Sequence, residues 1–525
     1  MGKKQKFNVY KILKKEELLQ ELETREFKRI AEKTIDEHCL ELFFFQKDNG
    51  GEIWWIEQYR NIFTDIEDKQ YRRSNLYGVL LISHKDYSYA ISYGNAYFYI
   101  QKYCDYNFGL DLAERILNPS NVKSKVSKYF NIDKTKEIVE YNNNINLEFT
   151  GGEAAFYVQG APINTDIYGK KIKFGYSAAF HLNMDSINIV EFISSLENLL
   201  VSSPRIKIPR VKFLHETYDQ ELIVGLNQEL YNDLLSESDN VRVEYFGLVG
   251  TDIVNDDTLS LSICMKGKRK KTDILELDIP IVKEYLLSNS VQDINFDDVR
   301  ITFETESNKR YSRPLRELID YTIQSNDRYY CLVNGKWAEF NQSYVQFLES
   351  KMAEINEIVT YQKDYDFKVS VVEELKQKAE GNLKYNEFVY NKYYMSQYGF
   401  KCYDRDFIKY GNVNIELGDL LKDQTLYHVK IGDNGKLIYA VDQSTLSIYA
   451  LKDPKNAQKI KEKFGEYDIQ GIGLLLIFES RSIAKDDKIN LNNIKSILFK
   501  MKILNWYSLV KVNNYKPQLL VNFKD

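Results

Sequence analysis

Between Val413 and Lys430 the chain reads VNIELGDLLKDQTLYHVK: a short apolar segment carrying two acids, a polar turn, and a second apolar segment ending in His428-Val429-Lys430. Ile415, Leu417, Leu420 and Leu421 have the spacing of a buried strand, Lys422-Asp423-Gln424 reads as a turn, and Thr425 to Ile431 as the partner strand. This predicts a hairpin, and a hairpin restricts which side chains can meet. With Leu421 facing Thr425, Glu416 falls opposite Lys430 and Gly418 opposite His428. Side chains alternate between the two faces of a sheet, so Glu416, His428 and Lys430 share one surface while Tyr427 and Val429 point to the other. Asp419 has the wrong parity for that surface in an ideal hairpin, and Gly418 before it permits a bulge that re-aims it.

Metal-assisted phosphodiester hydrolysis needs carboxylate oxygens to hold Mg²⁺, plus a cation near the attacking water or the transition-state charge. Glu416, Asp419 and Lys430 supply those groups. The plain alternative is a cross-strand Glu416–Lys430 ion pair on a solvated face, which contributes little. Upstream, Glu380 and Glu387 fall seven residues apart in a segment, 371–394, that reads mainly as helix, so both carboxylates share one face. Downstream, 436–441 reads as a third strand running into Asp442-Gln443-Ser444, the N-cap of a helix over 445–451. A helical Glu, a strand with acids, a strand with Lys and a Gln at a helix start, in that order, resemble the restriction-endonuclease-like fold. There a helical Glu, a strand Asp and an acid-x-Lys strand build the metal site. Here the acid-x-Lys position is His428-Val429-Lys430, a departure that leaves the metal with one fewer certain ligand.

A chain of 525 residues exceeds one ordinary core, so roughly two to four domains are expected. With 44% hydrophobic and 28% charged residues and only 8 prolines, the composition is that of a globular protein. No run of about twenty apolar residues occurs, and Met1-Gly2-Lys3-Lys4-Gln5-Lys6 is not followed by an apolar stretch, so a soluble, cytoplasmic protein without a membrane partner is expected. The five cysteines are scattered singly, as are the five histidines, which argues for a reducing compartment and against a structural zinc site. The net charge of −5 does not advertise nucleic-acid binding. Charge is nevertheless uneven: Lys266, Lys268, Arg269, Lys270 and Lys271 read as the tip of a basic hairpin, either a solvated turn or an arm that contacts phosphates. The 40 tyrosines accompany abundant Asn, Ile and Lys, which suggests an AT-rich bacterial genome, so tyrosine abundance is not by itself a base-stacking signature.

Along the chain, a strand over 7–13 precedes a charged helix from about Lys15 to Lys33, and strands follow at 39–45, 76–83 and 87–93, with Lys85-Asp86 turning between the last two. Helices are read from 107 to about 117 and over 186–200, and Pro204 and Pro209 bracket a candidate boundary. Strands at 241–248, 259–265 and 273–279, an Asn334-Gly335 hairpin and a helix over 344–358 complete a middle block. A last strand is read at 471–478. The expected architecture is multidomain α+β: an N-terminal α+β domain over 1–205, a middle α+β domain with the basic hairpin over 206–360, and a nuclease-like α/β domain over 361–525. Neither a Walker-type phosphate loop nor a Gly-x-Ser-x-Gly elbow is present, which disfavours an NTPase and an α/β-hydrolase.

The segments FNVYKILKK, YGVLLISHKDYSYAISYGNAYFYI, DYNFGLDLAERILN, TGGEAAF, YYCLVNGKWAEF, KYNEF, IELGDLL, LYHVK and DQS, in this order, resemble a sporadically distributed bacterial family of unknown function and about this length. That family occurs in mobile-element and in restriction or phage-defence neighbourhoods. The resemblance implies a role in defence against foreign DNA, with DNA favoured over RNA as target. In the family's C-terminal motif, a Tyr-Asn-Glu segment, an acid-rich strand and a His-Val-Lys strand map onto Tyr385, Asn386 and Glu387, onto Glu416 and Asp419, and onto His428 and Lys430. The cysteine usual before the aspartate is Gly418 here, and the Ser-His-Leu-Phe run before the glutamine is replaced by Ile438-Tyr439-Ala440-Val441. The resulting expectation is a Mg²⁺-dependent nuclease in which Glu387, Glu416 and Asp419 hold the metal, Lys430 positions the nucleophile or stabilises developing charge, His428 acts as base or orients a neighbour, and Gln443 touches phosphate. Two alternatives stand beside it. One is a non-catalytic clamp that uses Lys430, His428 and the Lys266–Lys271 run on phosphates; the other recruits a protein partner encoded nearby.

Overall fold

The computed structural model describes residues 5–52, 58, 62, 72–129, 136–145, 147, 149, 153–183, 185, 188–216, 219–238, 240–243, 258–267, 271–274, 277–291, 293–305, 310–325, 328–378, 385–410, 413–464, 468–485 and 488–525. The chain is α+β and divides into two compact units, the second made up mainly of Pro209–Asp525. Among the described residues no helix is long and apolar enough to cross a membrane.

The first unit is organised by a ten-stranded antiparallel sheet, in spatial order Lys28–Ile35, His38–Glu52, Arg72–Ser83, Ser88–Gly94, Gln5–Ile12, Ala178–Leu182, Ile172–Phe174, Glu153–Pro162, Leu117–Tyr129 and Lys136–Ile145. Helices Phe108–Ile116 and Ile189–Val201 bury Phe108, Leu112, Ile193 and Leu196 with Val9, Ile91 and Phe180 of the sheet. The charged helix expected up to Lys33 stops at Thr24. Glu26 takes a left-handed φ of 63° and the Phe27 N–H bonds back to the Leu22 carbonyl, so the chain turns and Lys28–Ile35 pairs as an edge strand. That strand is exposed along nearly its whole length, which leaves no apolar alternation to read.

Among the described residues the second unit holds two larger antiparallel sheets, one mixed sheet and two two-stranded ribbons. The first has the order Val211–Phe213, Lys336–Phe340, Arg328–Val333, Ile319–Ser325, Val241–Val243. Its Asn334-Gly335 hairpin has φ of 48° and 74°, the doubly left-handed turn whose twist matches the flanking strands. The other, of order Lys271–Ile274, Thr258–Met265, Val299–Thr305, Arg310–Pro314, carries the basic hairpin. Lys266 and Lys271 flank its tip and are exposed; Lys268, Arg269 and Lys270 lie outside the described residues. The strand expected to reach Ile279 ends at Ile274, because Asp278 accepts from the Ile281 N–H at 2.8 Å and starts a helix, Ile279–Ser288, with Pro280 in its first turn.

The mixed sheet carries the candidate site. Its elements in chain order are β1 (Val359–Thr360), α1 (Val369–Lys378), α2 (Asn386–Val389), β2 (Lys401–Cys402), β3 (Phe407–Tyr410), β4 (Val413–Glu416), β5 (Leu420–Lys422), β6 (Thr425–Gly432), α3 (Asn434–Lys452), α4 (Ala457–Phe464), β7 (Gly471–Phe478), α5 (Ile497–Val512) and β8 (Lys516–Phe523). The spatial order is β1-β8-β7-β6-β5-β2. The pairs β2–β5 and β5–β6 are antiparallel, whereas β6, β7, β8 and β1 are parallel to one another, with crossovers that contain α3 and α5. β7 is buried on both faces, as the continuous apolar run Gly471–Phe478 requires of a central parallel strand.

Three expectations about this region change. The segment 436–441 is not a strand: Asp433 accepts from the Lys436 N–H at 3.0 Å and caps one continuous helix, α3, whose buried Leu437, Ile438, Val441 and Ile448 face the core. The stretch 415–421 is not one strand either. Glu416 ends β4, which pairs with β3 in a separate two-stranded ribbon, and the chain re-enters the main sheet at Leu420. The helix read over 371–394 is described as α1, then α2 continuing into a π-helical turn at Tyr390–Tyr394; Glu380 lies outside the described residues.

Candidate metal centre

Register decides which side chains meet at the β5–β6 hairpin. The pairs are Lys422 with Thr425, Leu421 with Leu426 and Leu420 with Tyr427, one residue away from the expected alignment. The slip reverses the parity of the acids: Asp419 now falls opposite His428, on the face shared with Lys430, and needs no bulge to reach it. Asp419 is held there by its own N–H donating to the Tyr427 carbonyl at 2.8 Å and by the Val429 N–H donating to Oδ2 at 2.7 Å. Gly418 serves the approach, since a Cβ at this position would stand 2.5 Å from Leu426 Cγ.

Glu416 reaches the same place from β4. The loop between β2 and β3 delivers a third carboxylate, Asp404, and the oxygens of Asp404, Glu416 and Asp419 lie within 4.8 Å of one another. This loop is over-determined. The Tyr403 N–H donates to the Asp419 carbonyl at 2.7 Å, Arg405 sits at a left-handed φ of 63°, and the Arg405 N–H donates to Glu416 Oε1. Both Asp404 oxygens are oriented, one by the Tyr385 hydroxyl and one by the Asn391 amide, each at 3.0 Å. Arg405 stacks over the Tyr385 ring at 4.8 Å and donates to its hydroxyl at 3.1 Å. From the far side, Lys463 of α4 donates to the Asp406 carbonyl and pairs with its carboxylate at 2.9 Å, and Phe464 packs on Tyr403 at 4.9 Å.

Glu416 and Asp419, both buried beside the half-buried Asp404, are each pushed toward the neutral form. Burial, then Asp404, pushes Glu416 up to about 7, with the Arg405 N–H and Lys430 pulling the other way. Burial, then the Glu416, Asp404 and Glu387 charges, raises Asp419 well above the usual carboxylate range. A divalent cation would remove the repulsion, and an all-carboxylate donor set suits a hard or borderline one. Lys430, half-buried on β6, donates to Glu387 Oε1 at 2.8 Å and lies 5.3 Å from the centre of the Tyr439 ring. Burial works against its charge, but Glu387 outweighs that and the net effect is a raised pKa, so it stays an ammonium. Burial drives His428 down to about 3, so its ring is neutral near pH 7.

The structure thus brings together Glu416 and Asp419, with His428 and Lys430 on the adjoining strand. It places Glu387 on Lys430 and on the Ile431 N–H rather than in the carboxylate trio. Gln443 is buried in the middle of α3, where the backbone N–H groups are spent on the helix, so the helix-start phosphate contact expected of it is not available. Lys266 and Lys271 stand on a different sheet from the acids. Asp404 and its supports Asn391 and Arg405 were not legible as site residues, whereas Tyr385 stands in the Tyr-Asn-Glu segment of the family motif: Asp404 lies in Tyr403-Asp404-Arg405-Asp406, which carries only turn chemistry.

Fold and site together define an α+β protein with a buried acidic centre at the antiparallel edge of a mixed sheet. The chain belongs to a family of unknown function, DUF6119, whose profile matches residues 4–494. No curated protein and no solved structure matches the chain.

Proposed function

We propose that this protein is a bacterial defence protein whose C-terminal part is a metal-dependent nuclease acting on nucleic acid, DNA in preference to RNA. The observation that carries the reading is the convergence of Asp404, Glu416 and Asp419 within 4.8 Å, beside a strand that presents Lys430. The order of elements supports it as well: α2 with Glu387, the β5–β6 hairpin, the α3 crossover and the parallel β7 resemble the restriction-endonuclease-like arrangement.

In this reading Asp404, Glu416 and Asp419 hold Mg²⁺ or a related dication, which supplies Lewis acidity and lowers the pKa of a bound water. Lys430 offsets the negative charge that builds on the phosphorus oxygens. Glu387 keeps Lys430 charged and aimed, and His428, neutral and buried, is too weak a base to drive proton abstraction near pH 7. The exposed lysines Lys455, Lys459 and Lys461, on or just before α4, offer the strand backbone a basic path, since α4 is locked by Lys463 and Phe464 to the loop that carries Asp404.

A second reading is a non-catalytic clamp with the same fold. It is favoured by the Lys430–Glu387 pair, which engages the lysine, and by His428 at the position of an acid. Incubation of the protein with supercoiled plasmid, single-stranded DNA and RNA, in Mg²⁺, Mn²⁺ or EDTA and beside Lys430→Ala, separates the two. Metal-dependent cleavage lost in the variant is the expected result; salt-sensitive binding without cleavage selects the clamp.

A further inference from the structure

We infer that His428 is a fourth, nitrogen ligand of the metal centre, acting through Nδ1, and that the centre therefore selects Mn²⁺ or Fe²⁺ over Mg²⁺. The inference rests on the reading that Asp404, Glu416 and Asp419 hold a metal, and goes beyond it in naming the metal class and the residue that chooses it.

His428 is 1% exposed. Its Nε2 is 2.9 Å from Ser447 Oγ, which in turn is 2.9 Å from the Glu416 carbonyl and 3.0 Å from the Gln443 carbonyl. When the single Ser447 proton lies on one of those carbonyls, the serine meets the imidazole with a lone pair and the ring donates from Nε2. Nδ1 is then an unprotonated acceptor. It is buried, has no hydrogen-bond partner among the described residues, and stands 3.7 Å from Asp419 Oδ2. Two ligands of one ion with bonds of about 2.1 Å lie roughly 3 Å apart when adjacent and about 4.2 Å apart when opposite, so this separation suits a shared ion. A histidine that donates one ring N–H to an oxygen and leaves the other nitrogen bare has the outer-shell arrangement of metal-bound imidazoles.

The hairpin register makes this placement possible, because it sets His428 directly across from Asp419. A histidine where the fold it resembles has an acid then changes the donor set instead of subtracting from it. Mg²⁺ keeps to oxygen ligands and near-ideal octahedral geometry, whereas Mn²⁺ and Fe²⁺ accept a mixture of carboxylate and imidazole.

The test is Mn²⁺ binding to the full chain, followed by titration and by pulsed electron paramagnetic resonance, which detects a directly bonded ¹⁴N. Wild type is expected to bind Mn²⁺ at least tenfold more tightly than Mg²⁺ and to show ¹⁴N modulation. In His428→Gln the modulation disappears and Mn²⁺ affinity falls at least tenfold, while Mg²⁺ affinity stays within twofold. Ser447→Ala, which keeps the imidazole but removes its tautomer lock, covers the case in which His428→Gln does not fold. It is expected to weaken Mn²⁺ about tenfold without affecting Mg²⁺, with recovery in Ser447→Thr. Mn²⁺ that is lost in Asp404→Asn and Asp419→Asn but shows no ¹⁴N modulation in wild type overturns the inference and leaves the metal site standing. Absence of any Mn²⁺ or Mg²⁺ binding that depends on those aspartates overturns both.

Discussion

The ammonium of Lys430 lies 2.8 Å from Glu387 Oε1, and Glu387 also accepts from the Ile431 N–H at 3.3 Å, so this glutamate is committed to the lysine strand and not to the carboxylate trio. The carboxylate ligands of the metal are accordingly expected to be Asp404, Glu416 and Asp419. Asp404→Asn and Asp419→Asn should each weaken divalent-ion binding tenfold or more, whereas Glu387→Gln should change it by less than twofold while lowering cleavage. Calorimetric titration of Mn²⁺ into the three variants decides between the sets, and a tenfold loss in Glu387→Gln would return that residue to the metal.

The acidic cluster should cost stability at high pH. Glu416 has a folded pKa of about 7 against an ordinary 4.5, so the folded state holds this proton more tightly than the unfolded state does. The associated stability is complete below about pH 4.5 and is lost as pH rises through 7. Glu416→Gln, which keeps an acceptor for the Arg405 N–H, should therefore raise the melting temperature at pH 8 by a few degrees, on the order of 2 kcal/mol, and leave it unchanged at pH 5. Saturating divalent ion should mimic the substitution in wild type at pH 8. Equal shifts at both pH values would show that the gain is packing and not charge.

His428 acts in the opposite sense. Its folded pKa is lowered to about 3 from 6.5, so the unfolded chain binds a proton that the folded chain refuses between those values. Its contribution is present above pH 6.5 and is lost as pH falls toward 3. Wild type should destabilise more steeply than His428→Gln between pH 6.5 and 4 in urea melts; parallel curves would place the acid sensitivity elsewhere.

Lys459 and Lys461 are exposed on α4, beside the loop of Asp404. Replacing both with Ala should weaken nucleic-acid binding at low salt for every sequence alike and reduce the slope of log affinity against log salt by about two, with the melting temperature unchanged. The check is fluorescence anisotropy in EDTA across a salt series. An unchanged slope would move the backbone path to another face, with Lys266 and Lys271 as the next residues to replace.

Local features were readable wherever neighbouring residues decide the conformation. The Asn334-Gly335 turn, the Lys85-Asp86 hairpin with the His84 N–H on the Tyr87 carbonyl at 2.8 Å, and the apolar strand Gly471–Phe478 follow from short-range chemistry. The alternation of His428-Val429-Lys430 likewise put His428 and Lys430 on one face before any partner was known. Helix against strand over 436–441 was not decidable this way, because Leu437, Ile438 and Val441 satisfy either period; the cap at Asp433 and burial against β6 and β7 select the helix.

What the sequence determines by itself is the supply of groups: an acid pair, a lysine two residues after a histidine, and a strand to carry them. Tertiary structure decides that they form a site. A shift of one residue in register turns Asp419 toward His428, an interruption of the strand after Glu416 leaves that residue on a separate ribbon, and Asp404 arrives from a loop paired to Asp419 through the backbone of Tyr403. Strand faces alternate every residue and carboxylates repel unless something holds them. Their convergence therefore depends on backbone hydrogen bonds made across the fold, which no local spacing specifies.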